Sequence, residues 1–204
     1  MPFSFRKREE AQLVVGLGNP GAGYRNTRHN AGALAVEKFA RGQGLVFKRS
    51  LTLRSLVASK RAGVLYATLP QTFMNRSGSA VAALARKKGI APSRVLVVCD
   101  DVALKLGDLR MRVKGSSGGH KGLGSVIEAL GTQEVPRLRL GVGPGPAQGD
   151  LAAYVLENFE KSEKPLLEGM IVEAVEAIGT WVREGIEAGM NRSNTRANVK
   201  EGVN

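Results

Sequence analysis

His29 is one of only two histidines in the chain, and it sits in the segment Thr27-Arg28-His29-Asn30-Ala31-Gly32, shortly after the apolar run Gln12 to Leu17. Other polar groups share that setting, a loop that follows an apolar run. Asn19 comes directly after Leu17-Gly18, Asn75 lies in Pro70-Gln71-Thr72-Phe73-Met74-Asn75-Arg76, and Asp100-Asp101 follows Val95-Leu96-Val97-Val98-Cys99. The second histidine, His120, stands beside Lys121 in a glycine-rich loop, Gly115 to Gly122. An imidazole accepts a proton near neutral pH and a carboxylate can fix its tautomer, which makes His29 the candidate general base and Asp100 the acid that orients it. Asn19 and Asn75 offer uncharged amide donors and carbonyl acceptors, suited to a substrate carbonyl or the oxyanion that develops from it. If these loops converge, they form equipment for activating water.

Other chemistries fit less well. Gly16, Gly18 and Gly21 satisfy G-x-G-x-x-G, and Glu37 stands where a dinucleotide fold would want a ribose-binding acid. That fold needs a helix to open within the motif so that its N–H groups meet the pyrophosphate. Here Pro20, Gly21 and Gly23 prolong the loop, and Glu37 falls inside a helix predicted over Ala33 to Ala40. With two His, one Cys and no Cys-x-x-Cys or His-x-x-x-His spacing, no dedicated zinc site is expected. No G-x-S-x-G elbow supports a serine nucleophile.

The elements that must position these residues follow from periodicity and breakers. Gln12 to Leu17 reads as a buried strand, Leu53 to Ser59 and Val64 to Leu69 as an antiparallel pair turning through Lys60-Arg61-Ala62-Gly63, and Arg94 to Cys99 as the most apolar strand. Ser77 is placed to cap an Ala-rich helix over Ser79 to Lys88 with Gly89 as its stop, and a further helix is predicted from Leu123 to Leu130. Leu109 to Val113 reads as a basic strand, Leu138 to Val142 as the last one, and Ser162 to Ala188 as one long or two shorter helices. The order predicts a single α/β domain, a mixed twisted sheet surrounded by α-helices, over residues 11–190. Residues 1–10 read as a loose extension and 191–204 as a polar, frayed tail.

At 204 residues the chain suits one domain with a real core, and its single cysteine excludes a disulfide framework and points to a reducing compartment. No apolar run approaches a membrane span and none resembles a signal peptide, so a cytoplasmic location without membrane partners is expected. The net charge of +12 favours a polyanionic partner, nucleic acid first. Arg110 and Arg112 alternate on one strand face, and Lys114, Lys121, Arg137 and Arg139 are placed to extend a basic surface.

Four ordered blocks tie these residues to a family. They are Val15-Gly16-Leu17-Gly18-Asn19-Pro20-Gly21 with Tyr24 and Thr27 to Gly32; Pro70 to Gly78; Asp100-Asp101 with Leu104 and Gly107; and Gly115 to Leu123. From about Gln12 to Asn194 the chain closely resembles the bacterial-type peptidyl-tRNA hydrolases. The resemblance implies a monomeric α/β enzyme without a cofactor or metal, with no obligate protein partner, that hydrolyses the ester joining a peptide to the 3′ ribose of tRNA. It implies His29 as the base held by Asp100, Asn19 and Asn75 at the substrate's peptide end and the oxyanion, His120 near the ester, and Tyr24 and Met74 as cleft walls. By the same resemblance Arg112 and Arg139 would clamp the tRNA 5′-phosphate beside the acceptor stem. Two departures stand out: Lys121 occupies a place where the family more often has Asn, and Ala103 one where an acid is common. Lys121 is expected to contact phosphate or ribose instead. The competing function is a catalytically idle RNA-binding adaptor on the same scaffold, as in the plant organelle group II intron splicing factors that resemble these hydrolases.

Overall fold

The computed structural model describes residues 10–60, 64–146 and 149–201. In chain order the elements are β1 (Gln12–Gly16), α1 (Ala31–Gly42), β2 (Lys48–Ser50), β3 (Ser55–Ser59), β4 (Leu65–Pro70), α2 (Ser77–Lys88), β5 (Val95–Lys105), β6 (Leu109–Arg112), α3 (Lys121–Leu130), β7 (Arg137–Gly143), α4 (Leu151–Leu156), α5 (Lys164–Glu184) and α6 (Ile186–Glu201). The strands form one seven-stranded mixed sheet in the order β2-β3-β4-β1-β5-β7-β6. Pairing is parallel for β1 with β4, β1 with β5 and β5 with β7, and antiparallel for the outer pairs. This is the α/β class the element order predicts.

Strand alternation divides the core. Leu13, Val15, Leu17, Val95, Val97 and Cys99 face one way and pack with Val81 and Leu84 of α2 and Leu123 and Val126 of α3. Val14, Leu96, Val98, Leu138 and Leu140 face the other way and pack with Val36 and Phe39 of α1 and Ala174 and Ile178 of α5. From β1 the chain crosses over α1 to one side, then returns over α2 to β5 on the other. The reversal leaves a crevice beyond the carboxyl ends of β1, β4 and β5, the place where open α/β sheets bind ligands.

Several sequence expectations need revision. The apolar strand does not stop at Cys99: β5 continues to Lys105, because β7 still pairs with it there after a register shift beyond Asp101. Its partner β1 ends sooner, opposite Val98, so Asp100 lies in a strand yet has an open side next to the crevice. Ser77 does not cap α2; it is the first helical residue, buried, with its hydroxyl lacking a hydrogen-bond partner. Residues 192–201, expected as a frayed tail, continue α6, where the Asn194 side chain accepts from the Met111 N–H at 3.0 Å and donates to its carbonyl at 3.3 Å. A polar side chain there stands in for one residue of a neighbouring strand at the β6 edge. The expected loose extension falls almost wholly on residues 1–9, and the tip of the 60–63 turn on 61–63, outside the described residues. No described helix is long and apolar enough to cross a membrane.

Candidate active site

Asp100 is the centre of the site. Its side chain is buried, and both carboxylate oxygens lie 2.9 Å from Nδ1 of His29. One of them also lies 2.9 Å from Nε2 of His120, so two imidazoles converge on one carboxylate. Gly32 makes the first contact possible. A Cβ at Gly32 would collide with the Val98 carbonyl, so only glycine lets the start of α1 press onto β5 and carry His29 to Asp100. His120 arrives from the other direction as the N-cap of α3, its Nδ1 accepting from the Leu123 N–H at 3.0 Å.

These bonds fix the protons. A backbone N–H can only donate, so Nδ1 of His120 is an acceptor and Nε2 must donate to Asp100. Both nitrogens of His120 are therefore committed. His29 donates from Nδ1 to Asp100, and among the described residues its Nε2 has no hydrogen-bond partner. Burial, the largest single influence, would raise the Asp100 carboxyl, but electrostatic attraction to and hydrogen bonds from the imidazoles of His120 and then His29 together outweigh it. The carboxyl is held well below the usual carboxylate range and stays an anion.

Asn19 is set with equal definition. Its backbone N–H donates to Oδ1 of Asn30 at 2.9 Å, and Nδ2 of Asn30 donates back to the Asn19 carbonyl at 3.0 Å. The Asn19 side-chain oxygen accepts from the Met74 N–H at 2.9 Å, which leaves its NH₂ as a donor directed at the cleft. Asn75, on the turn after β4, is exposed at the cleft. The cleft measures about 490 Å³, with His29, Asp100 and His120 at its polar side and Phe73, Leu151, Val155 and Leu156 as apolar lining.

The Gly115–Gly122 loop is pinned from beneath. Nη1 of Arg137 donates to the Ser116 carbonyl at 3.0 Å, and Nη2 of Arg139 donates to that of Ser117 at 3.3 Å. Arg139 is further paired with Asp101 at 3.2 Å. His29, His120 and Asp100 are also the residues, among those described, whose ligand atoms lie close enough together to hold a metal ion. A metal there would have to replace the two protons that join the imidazoles to Asp100.

This arrangement has relatives. The family model of peptidyl-tRNA hydrolase matches residues 13–201. The peptidyl-tRNA hydrolase of Methylacidiphilum infernorum is 48% identical over 180 residues, covering 88% of this chain and 96% of that protein. That of Elusimicrobium minutum is 45% identical over 184 residues, covering 90% and 98%. The chain belongs to the peptidyl-tRNA hydrolase family. A crystal structure of the peptidyl-tRNA hydrolase from Acinetobacter baumannii superposes with a TM-score of 0.85 at 31% identity, covering 91% of this chain and 95% of that one.

Against the family's expected site, the structure brings Asn19, His29, Met74, Asn75, Asp100, His120, Lys121 and Arg139 to one cleft. It does not bring Tyr24 or Arg112. Tyr24 ends the short turn Ala22–Tyr24 with its ring back beside Gly21, outside the cleft lining. Arg112 is exposed on β6, beyond the cleft. Arg137 is no part of a basic surface. It is 2% exposed and bound to the carbonyls of Val135, Ser116 and Gln133, because β7 is an inner strand between β5 and β6. Lys114 is exposed and pairs with Glu134.

Sequence reasoning missed three contributors. Asn30, which locks Asn19, carried only the hint of a polar residue beside His29. Phe73 at the cleft is 60% exposed, an unusual position for a Phe and legible only from structure. Helix α4, which supplies Leu151, Val155 and Leu156, had a usable signal: Asp150 as N-cap, accepting from the Ala152 N–H at 2.8 Å, before apolar residues at i and i+4.

Proposed function

We propose that this family member cleaves the ester between a peptide, or an N-blocked amino acid, and the 3′ ribose of tRNA, with His29 as the general base. The observation that carries the assignment is the proton arrangement at Asp100. Of the chain's two histidines, His120 has both nitrogens committed, and His29 alone keeps an unpaired Nε2 beside the cleft. In the reaction Nε2 takes a proton from water as the oxygen attacks the ester carbonyl. Asp100 holds the tautomer and stabilises the imidazolium that forms. The NH₂ of Asn19, aimed by its bond from Met74, donates to the oxyanion, and Asn75 holds the peptide end. Collapse of the tetrahedral intermediate breaks the bond to the ribose O3′, which takes the proton back from His29, leaving free tRNA and a peptide carboxylic acid that ionises by releasing its proton to solvent. A positioned base contributes ~10²–10⁴ in rate and an oxyanion donor ~10²–10³, so neither suffices alone.

Binding of the tRNA falls to Lys121 at the cleft and to Arg110, Arg112 and Arg139 around β6 and β7. Contacts to phosphate fix register without reading bases, which suits an enzyme of translation that accepts many tRNAs. The protein acts as a cytoplasmic monomer without an obligate partner.

The test is release of N-acetyl amino acid from N-acetyl-aminoacyl-tRNA by the purified chain, by His29→Ala and by the chain in EDTA. Turnover that persists in EDTA and falls ~10²–10⁴-fold in His29→Ala supports the reading. Tight tRNA binding without turnover would favour the adaptor function instead.

A further inference from the structure

Next to the base, Arg28 has a role that the mechanism above does not use. Its side chain is 5% exposed, and its guanidinium meets Glu163 in a two-pronged pair, Nη1 to Oε1 at 2.9 Å and Nη2 to Oε2 at 2.8 Å. The guanidinium carbon lies 4.5 Å from the ring centre of Tyr154 and 5.0 Å from that of Phe159. The backbone is tied to the same segment, since the Arg28 N–H donates to the Glu157 carbonyl at 3.0 Å and Thr27 bridges to Asn158. Every one of these partners lies between Tyr154 and Glu163, in or just after α4.

Helix α4 faces two ways. Leu151, Ala152, Val155 and Leu156 line the cleft, while Tyr154 lies against Arg28 and its hydroxyl donates to the Val142 carbonyl at 2.7 Å. Arg28 itself is not among the cleft residues, so it has no route to direct contact with substrate there. It is, however, the residue before His29, whose Nε2 must meet a water within a few tenths of an ångström.

We propose that Arg28 is a positioning residue: its grip on Glu163, Tyr154 and Phe159 sets the chain entering His29 and couples placement of the base to the apolar wall that α4 gives the cleft. The geometry suits this role better than general stability. A planar, bidentate and stacked guanidinium defines direction as well as distance, which a lysine cannot reproduce. Its hydrogen bonds are the largest influence on Glu163 and hold that carboxyl below its ordinary range, so the pair remains charged.

The experiment compares Arg28→Lys and Glu163→Gln with the parent chain, taking His29 as the base proposed above. It measures kcat and KM on N-acetyl-aminoacyl-tRNA, the melting temperature, and the imidazole ¹⁵N–¹H NMR signals. With two histidines in the chain, both rings can be followed separately. A small misplacement far from the bonds that react costs up to ~10²-fold, so both variants are expected to lose roughly ten- to a hundred-fold in kcat with KM within about threefold. The His29 signal should move and that of His120 should not. Ile178→Val, in the core of α5, serves as the control: it lowers the melting temperature while leaving kcat and both rings unchanged. Unchanged kcat, a loss that merely follows melting temperature, or a rise in KM alone would overturn the proposal. If His29→Ala itself retained full turnover, the assignment of the base would fail. The ring signals would still report whether Arg28 places His29.

Discussion

Replacing Asp100 with Asn should nearly abolish turnover while leaving the fold intact, and the reason is a shortage of acceptors. Asp100 receives a proton from His29 Nδ1, 2.9 Å from both oxygens, and another from His120 Nε2, 2.9 Å from one of them. In Asp100→Asn one oxygen becomes an NH₂. His120 cannot receive it, because the Leu123 N–H occupies its only lone pair and obliges Nε2 to donate. The remaining oxygen goes to His120; it also stays 2.9 Å from His29 Nδ1, but the NH₂ stands equally close to that nitrogen and repels a proton on it. His29 can meet that donor only with a lone pair, which moves its own proton to Nε2, the nitrogen that should take a proton from water. The base is then in the wrong tautomer. The same substitution in a Ser-His-Asp triad costs roughly 10⁴ in kcat, and the whole contribution of a positioned base is ~10²–10⁴. A loss near 10³, about 4 kcal/mol of barrier, is expected, close to that of His29→Ala, and the double variant should be no worse than either single one.

Stability moves little by comparison. Losing charge-assisted hydrogen bonds costs about 1.5–3 kcal/mol, while removing a buried anion relieves a desolvation penalty of several kcal/mol. The two offset, and at this size ~1 kcal/mol corresponds to about 2–4 °C. The assay is kcat/KM on N-acetyl-aminoacyl-tRNA beside the thermal midpoint. Activity within tenfold of the parent would refute the tautomer argument, and a collapse of the midpoint would make Asp100 a structural residue.

His120→Asn keeps a side chain able to cap α3 but removes the second hold on Asp100; kcat should fall about tenfold with an unchanged urea midpoint, whereas His120→Ala should also lose the cap, ~0.5–2 kcal/mol. Lys121→Ala should raise KM several-fold with kcat nearly unaltered, and should lower the slope of log affinity for tRNA against log salt by about one phosphate contact; a pure kcat loss would count against its phosphate or ribose role. The depressed Asp100 carboxyl sets a pH signature. The unfolded chain binds this proton near pH 4 and the folded chain only well below it, so the carboxylate's contribution is complete above that pH and is lost as the pH falls through the folded value. Urea titrations between about pH 5 and 3 should show the parent losing stability relative to Asp100→Asn, and parallel curves would contradict the shift.

The polar loops were legible because each follows an apolar run that can only be a buried strand: Asn19 after β1, Asn75 after β4, Asp100 beyond the point where β1 stops pairing. Their convergence was not, since it depends on β4 and β5 flanking β1, and strand order leaves no local mark. Strand order also decided the arginines. Arg137 and Arg139 alternate like an exposed edge, but β6 pairs outside β7; Arg137 is buried, and Arg139 is half-buried at the cleft. Helix α4 offered only a cap and one i, i+4 pair over six residues, and its hold on the body runs through Tyr154 and Arg28, distant in sequence.

The burial of arginines also narrows where tRNA can be held. A net charge of +12 suggests a generous basic surface, yet Arg28 is spent on Glu163, Arg137 on carbonyls beneath the glycine-rich loop, and Arg139 partly on Asp101. These cations act on the protein, fixing the strand ends and loops from which His29, His120 and Asp100 project. On the function proposed above, the phosphates fall to Lys121 and the half-buried Arg139 at the cleft and to the exposed Arg110 and Arg112 on the outer strand. Such a division separates two demands. Placement of a base needs buried, directional, inflexible pairs, whereas capture of many tRNAs needs screened, forgiving charges that read no sequence. Binding should therefore respond to salt far more than the bound-state chemistry does, because the salt bridges that set the chemistry are the ones that solvent ions reach least.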